Sequence, residues 1–298
     1  MRILFVTFSI DITIGLNHGV ASLAGMVKKY DHEVKHIYVT DRNFTELFEV
    51  YLDFKPDIIG ISLMEPQAKF AFLFILQLRR FDKKTFIVVG GPYPTMALEE
   101  VEKVKGINAI VRGEGEQPLL DLITMVYKGQ YNSSDRLITN VNPLQKLDLL
   151  APEDLNIFPI DLVVGEKNNM FSATIGRGCV YSCSYCINRS YLDLYHFKIK
   201  DYIRMKPFRN IYEEIHPYIS KKIKFIGFED DDFLIYDKMI PEKLEDFYRE
   251  YKSKIGLPFS INANLHSITE NNILAFKDAG GFIIRIGIEA SERLRKEV

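Results

Sequence analysis

Three cysteines, Cys179, Cys183 and Cys186, lie in the run Cys-Val-Tyr-Ser-Cys-Ser-Tyr-Cys, and the chain has no others. A disulfide framework spreads an even number of cysteines along a chain, whereas three thiols on one short loop suit metal ligation. Thiolates so spaced wrap one face of an iron–sulfur cube, and without a fourth cysteine one iron stays open to a substrate or cofactor. The alternative for the same residues is a zinc site completed by His196, although structural zinc sites usually pair ligands from two separated turns.

The elements that must position this loop follow from hydrophobic patterning. Arg2–Phe8, Glu33–Val39, Asp57–Leu63, Thr85–Val89 and Asn108–Val111 are short runs rich in Ile, Val and Phe, as in parallel strands buried on both faces. Helical periodicity fills the gaps, over Gly15–Lys29, Phe44–Phe54, Gln67–Phe81, Ala97–Val104 and Gln117–Tyr127. This βαβα order predicts a doubly wound, flavodoxin-like parallel sheet over residues 1–130, with its ligand crevice beyond the carboxyl ends of the strands. The segments there are Ser62-Leu63-Met64-Glu65-Pro66, Gly90-Gly91-Pro92-Tyr93-Pro94-Thr95 and Arg112-Gly113-Glu114-Gly115-Glu116. Glycines at such points admit a large planar or phosphorylated ligand, though each turn alone also reads as a plain tight turn.

Residues 131–170 lose periodicity and read as a linker, packed down by Leu144, Leu147, Leu149 and Leu150. Strands are then expected over Phe171–Ile175, Ile223–Phe228, Pro258–Ala263 and Phe282–Ile288. Helices are expected over Asn210–Ile219, Pro241–Tyr251 and Glu270–Asp278. About four β/α units over residues 171–298 make a partial parallel barrel, with the cysteine loop directly after its first strand.

Composition limits the alternatives. With 47% hydrophobic and 26% charged residues the 298-residue chain is globular rather than disordered. Thirty-eight basic against 40 acidic residues give no general attraction to nucleic acid. The longest apolar run, Phe70–Leu78, is about half a membrane span. The opening MRILFVTFS is too short for a signal sequence, so the cytoplasm is the expected compartment.

The CxxxCxxC after a first barrel strand, with Tyr185 before its last cysteine, resembles the radical S-adenosylmethionine (SAM) superfamily. That resemblance implies that Cys179, Cys183 and Cys186 ligate a 4Fe-4S cluster whose open iron is chelated by S-adenosylmethionine. Its reductive cleavage then yields methionine and a 5′-deoxyadenosyl radical, with Tyr185 near the adenine. Gly227-Phe-Glu-Asp-Asp-Asp-Phe233 resembles the family's Asp-Asp-x-Phe segment, which places Asp230, Asp231 and Asp232 at the methionine amino group. Asn262 and Asn264 end the next strand in the family's polar position. Gly287-Ile-Glu-Ala-Ser291 is similar to its Gly-Ile-Glu-Ser segment, with Glu289 and Ser291 toward the ribose or methionine end.

GGPYPT followed by RGEGE resembles the cobalamin-binding subgroup of that superfamily, which implies that Ser62, Leu63, Gly90, Gly91, Thr95, Gly113 and Glu114 line a corrin ring. The Asp-x-His-x-x-Gly motif that carries a lower axial histidine elsewhere is absent, and His18 reads as a surface or capping residue. The implied enzyme is a cobalamin-dependent radical SAM enzyme performing methyl transfer, rearrangement or oxidative cyclisation. Its substrate would be a small molecule, lipid or tetrapyrrole-like compound, and its reductant a flavodoxin or ferredoxin. A methylthiotransferase would need three further cysteines, and residues 1–178 contain none. The remaining alternative is a non-catalytic cobalamin- or metal-binding module, since the barrel portion is short and residues beyond Val298 or a partner chain are expected to complete it. Tyr191, Tyr195 and Phe197 are expected to pack rather than wall a pocket, and Lys198, Lys200, Arg204 and Lys206 to form a solvated basic stretch.

Overall fold

The computed structural model describes residues 1–42, 44–132, 134, 136–139, 146–196, 198–219 and 222–288. Two compact units result, one of Met1–Glu166 with Tyr181–Lys198 and one of Lys167–Val180 with Ile199–Val298.

The first unit runs β1 (Arg2–Phe8), α1 (His18–Lys29), β2 (Glu33–Val39), α2 (Thr45–Phe54), β3 (Ile58–Ser62), α3 (Glu65–Phe81), β4 (Phe86–Gly90), α4 (Pro92–Met96), α5 (Leu98–Glu102), β5 (Ala109–Arg112), α6 (Glu116–Tyr127), β6 (Leu137–Thr139) and α7 (Ile160–Glu166). The strands stand in the order β2-β1-β3-β4-β5-β6, all pairs parallel. This is the doubly wound order whose direction switches between β1 and β3. Alternate residues of the central strands (Leu4, Val6, Ile59, Ile61, Ile87, Val89) pack with Phe74, Ile75 and Leu78 of α3 in one core. Their neighbours Ile3, Phe5 and Val88 are buried on the other face, which is why these strands read as unbroken apolar runs.

Three expectations need correction here. The sheet has a sixth strand, β6, within the stretch read as a linker. Three residues carry no periodic signal, and the strand exists through pairing, as where the Ile110 N–H donates to the Arg136 carbonyl at 2.8 Å. The helix expected over Ala97–Val104 is the shorter α5, and an additional short helix, α4, precedes it across the non-helical Ala97. Leu147 and Leu150 are buried as expected, but Leu149 is exposed, and Leu144 lies outside the described residues.

The second unit contributes β7 (Met170–Ala173), β8 (Gly176–Arg177), α9 (Ile199–Tyr202), β9 (Arg204–Met205), α10 (Phe208–Ile215), β10 (Phe225–Phe228), α11 (Ile235–Met239), α12 (Pro241–Lys254), β11 (Phe259–Ala263), α13 (Glu270–Asp278) and β12 (Gly281–Ile286). Helix α8 (Ile187–Tyr195) belongs to the first unit. Strands β7, β10, β11 and β12 form one parallel sheet in sequence order, the layout of consecutive β/α units, while β8 and β9 make a small antiparallel pair. Period-two alternation gives that sheet two unlike faces. Phe228 and Phe259 pack on Phe247 and Tyr251 of α12 in an aromatic core. Gly227, Glu229, Ser260 and Asn262 alternate onto the face away from those helices. No described helix is long and apolar enough to cross a membrane.

Candidate functional site: a thiol loop and a set of strand-end turns

The thiol loop leaves the carboxyl end of β7. Its root is held by Asp230, at the end of β10, whose carboxylate accepts hydrogen bonds from the Ile175 N–H (3.0 Å), the Gly176 N–H (2.8 Å) and the Tyr236 hydroxyl (3.0 Å). Asp230 is buried, and desolvation lifts its pKa to about 6 despite those donors. Beside it, Lys206 is buried in an ion pair with Glu214 at 2.7 Å and donates to Thr174 Oγ1. That corrects the reading of Lys206 as solvated.

Along the loop, Cys179 is buried, Cys183 and Cys186 are half-exposed, and none is in a disulfide. The Cys186 N–H donates to the Cys183 carbonyl at 3.0 Å, so one tight turn carries the last two thiols. Cys186 is also the N-cap of α8, and Asn188 Nδ2 lies 3.5 Å from its Sγ. By donor chemistry these three cysteines fit an iron–sulfur cluster with one iron unligated by protein. Among the described residues, no three His, Cys, Asp or Glu are gathered closely enough to hold a single metal ion. The zinc alternative is excluded by length. His196 caps the far end of nine-residue α8, roughly 13 Å from its start at 1.5 Å per residue, and cannot share a tetrahedral ion with Cys186.

The remaining candidates in the second unit divide by face. Asp232 is buried with Asp230, and its Oδ2 accepts from Ser267 Oγ at 2.5 Å, with burial raising its pKa. Asp231 is exposed. Asn262 Nδ2 donates to the Asp230 carbonyl at 3.2 Å, and Asn264 caps the 3-10 turn Leu265–Ser267. Both buried aspartates thus serve hydrogen bonds inside the fold. Glu229, between them and Gly227, stands on the opposite face and pairs with Arg285 at 3.3 Å. Glu229, Arg285 and Glu214 are not among the site residues expected from the sequence. Strand parity was the signal for Glu229, because Phe228 is needed in the core and its neighbours must therefore face the other way. Tyr185 is exposed, and Glu289, Ser291 and Phe197 lie outside the described residues.

In the first unit, the residues singled out after β3, β4 and β5 are brought together. The Leu63 N–H donates to the Gly90 carbonyl (2.8 Å) and the Tyr93 N–H to the Leu63 carbonyl (3.0 Å), which ties the first two turns to each other. Thr95, fully buried, donates to the Gly91 carbonyl (2.9 Å) and accepts from the Gly113 N–H (3.1 Å), tying in the third. Gly91 and Gly113 have φ of 99° and 91°, and a Cβ on Gly91 would lie 3.1 Å from the Leu63 carbonyl oxygen, so backbone geometry requires both glycines. Ser62 Oγ accepts from Asn17, the N-cap of α1. The next residue, His18, is no surface cap. Its Nδ1 is 2.7 Å from buried Glu153.

A doubly wound sheet with laced strand-end turns, followed by a thiol loop at the root of a β/α array, defines a two-domain α/β protein. Residues 13–123 match the family model of the B12 binding domain, and residues 173–298 that of the Radical SAM superfamily. The chain thus carries an amino-terminal B12-binding domain followed by a Radical SAM superfamily domain. It is 24% identical to an uncharacterized methyltransferase of Pyrococcus horikoshii, over 94% of this chain and 62% of that protein. It is also 24% identical to the anaerobic magnesium-protoporphyrin IX monomethyl ester cyclase of Rubrivivax gelatinosus, over 94% of this chain and 52% of the cyclase. The fold is similar to that of the radical S-adenosylmethionine methyltransferase TsrM from Kitasatospora setae, solved with tryptophan substrate and a SAM analogue. The TM-score is 0.74 at 16% identity, covering 99% of this chain and 60% of that one. This chain therefore spans between half and two thirds of the length of these relatives.

Proposed function

We propose that this chain is the cofactor-bearing part of a cobalamin-dependent radical SAM enzyme, most simply a methyltransferase. Cys179, Cys183 and Cys186 would hold the 4Fe-4S cluster, and the turns at Ser62, Leu63, Gly90, Gly91, Thr95, Gly113 and Glu114 would line the corrin. When bound, these groups supply a 5′-deoxyadenosyl radical and a methyl carrier. The protein's part is to hold them in register and keep water and oxygen away. Asp230 anchors the loop root, while Glu229 and Asn262, on the face away from the helices, offer acceptors to the SAM ammonium. Tyr185, Asp231, Glu289 and Ser291 complete the proposed SAM contacts.

The observation that carries this reading is the order of parts, a B12-binding sheet followed by a thiol loop at the end of the first β/α strand. The names of the relatives favour methyl transfer first and oxidative cyclisation second, on a small-molecule or tetrapyrrole-like substrate, with a flavodoxin or ferredoxin as electron donor. The proposed compartment is the cytoplasm, where thiols stay reduced. The test is anaerobic reconstitution of the whole chain with iron, sulfide and hydroxocobalamin, then reduction with SAM. Iron, bound corrinoid and 5′-deoxyadenosine are expected together, and Cys183→Ala should remove the last while leaving corrinoid bound. Folded protein that takes up neither iron nor corrinoid refutes it.

A further inference from the structure

Helix α8 begins at a candidate cluster ligand and ends on the corrin-side turns, and both ends lie in the first unit. Its last residue, Tyr195, is 4% exposed, and its hydroxyl accepts a hydrogen bond from the Glu114 N–H at 2.6 Å. A Cβ on Gly113 would lie 2.4 Å from that hydroxyl and 3.3 Å from Leu194 Cδ2, so the turn after β5 is shaped around the end of α8. The Gly113 N–H is in turn bound to Thr95, which ties down Gly91. One turn further up α8, Tyr191 stacks on Tyr195 with ring centroids 6.0 Å apart and planes 9° apart. Burial and the neighbouring Glu114 carboxylate keep the Tyr195 phenol protonated. The phenol is therefore a neutral fixed peg, not a base.

We propose that Tyr195 is a positioning residue that couples the Cys183–Cys186 turn to the corrin-side turns, so that loading one changes affinity at the other. The proposal rests on the cofactor reading above. The chain of contacts is continuous. Cys186 starts α8, α8 ends in Tyr195, Tyr195 holds Glu114, and Gly113 and Thr95 carry the restraint to Gly91. A ligand pressing on Gly91 or Glu114 acts on the end of α8, and a cluster drawing on Cys183 and Cys186 acts on its start. Coupling between two such sites is reciprocal and typically amounts to 5- to 150-fold in affinity.

Tyr195→Phe tests this, because it keeps the stacked ring and removes only the hydroxyl. Hydroxocobalamin is titrated into the full chain with and without the reconstituted cluster. The wild type is expected to show at least about a fivefold difference in Kd between the two states, and Tyr195→Phe less than twofold, with both cofactors still bound. Equal affinities in the wild type, or a Tyr195→Phe ratio like the wild type's, would overturn the proposal. A second arm needs no cofactor. Native-state hydrogen exchange of α8 and of the Glu114 amide should quicken by about 2- to 10-fold in Tyr195→Phe, the net worth of one hydrogen bond, while β2 is unchanged. Unchanged exchange in α8 would also overturn it. A chain that binds no iron or corrinoid refutes the cofactor reading, and the exchange arm still decides the role of Tyr195.

Discussion

Replacing Asp230 by alanine and by asparagine separates its two contributions, as an acceptor and as a buried charge. Alanine leaves the Ile175 and Gly176 N–H groups and the Tyr236 hydroxyl without their acceptor. Each unsatisfied buried donor costs about 1–3 kcal/mol, so Asp230→Ala should lose at least about 3 kcal/mol from the second unit. Asparagine keeps an oxygen for the two N–H groups and removes the charge. The native pKa is about 6 against an ordinary value of 3.8, so the folded state binds more protons than the unfolded state between those limits. Stability from this residue is then highest below pH 4 and declines as pH rises through 6, by roughly 3 kcal/mol in all and about 2 kcal/mol between pH 4.5 and 7.5. Asp230→Asn should lack this decline. In urea unfolding followed by tyrosine fluorescence, its midpoint should gain on the wild type's by about 1 M from pH 4.5 to 7.5, taking an m-value near 2 kcal/mol/M. Parallel pH profiles for the two proteins would refute the assignment of a buried, strongly desolvated carboxylate.

Two further perturbations follow from desolvated groups elsewhere. His36, half-buried with Thr7, Tyr38 and Phe158 around its ring, has a pKa lowered to about 3 by desolvation. The unfolded state therefore binds more protons below 6.5, and the first unit should lose roughly 2 kcal/mol between pH 6.5 and 5, a loss that His36→Gln abolishes when acid unfolding is followed by circular dichroism. Lys206→Met leaves the Glu214 carboxylate buried without its partner and should cost about 3–5 kcal/mol, whereas Lys206→Met with Glu214→Leu should recover most of it. Denaturant midpoints of the single and double variants check this.

The sequence made the large elements legible because they obey one dominant pattern each. Strands β1, β3 and β4 are apolar on both faces, and α13 carries a Thr269–Asn272 capping box at its start. Strand β6 and helix α4 are set by tertiary pairing and by the Gly91 turn, so no local pattern announces them. The site was legible as a set of segments and not as a set of side-chain directions. Spacing marked the three cysteines, and strand ends marked Gly91, Thr95 and Gly113. Spacing could not separate Asp230 and Asp232, turned into the fold, from Glu229 on the other face. That distinction depends on which of two alternating sets the aromatic core around Phe228 claims. The same holds for Tyr195, whose role depends on a turn 81 residues earlier in the chain.

If Cys179, Cys183 and Cys186 hold a cluster with one iron open to SAM, electron paramagnetic resonance of the anaerobically reconstituted, dithionite-reduced chain should detect it. The expected result is a reduced 4Fe-4S signal that changes when SAM is added and is lost in Cys183→Ala. A folded chain with about four irons whose signal ignores SAM, or one that takes up no iron at all, would contradict it.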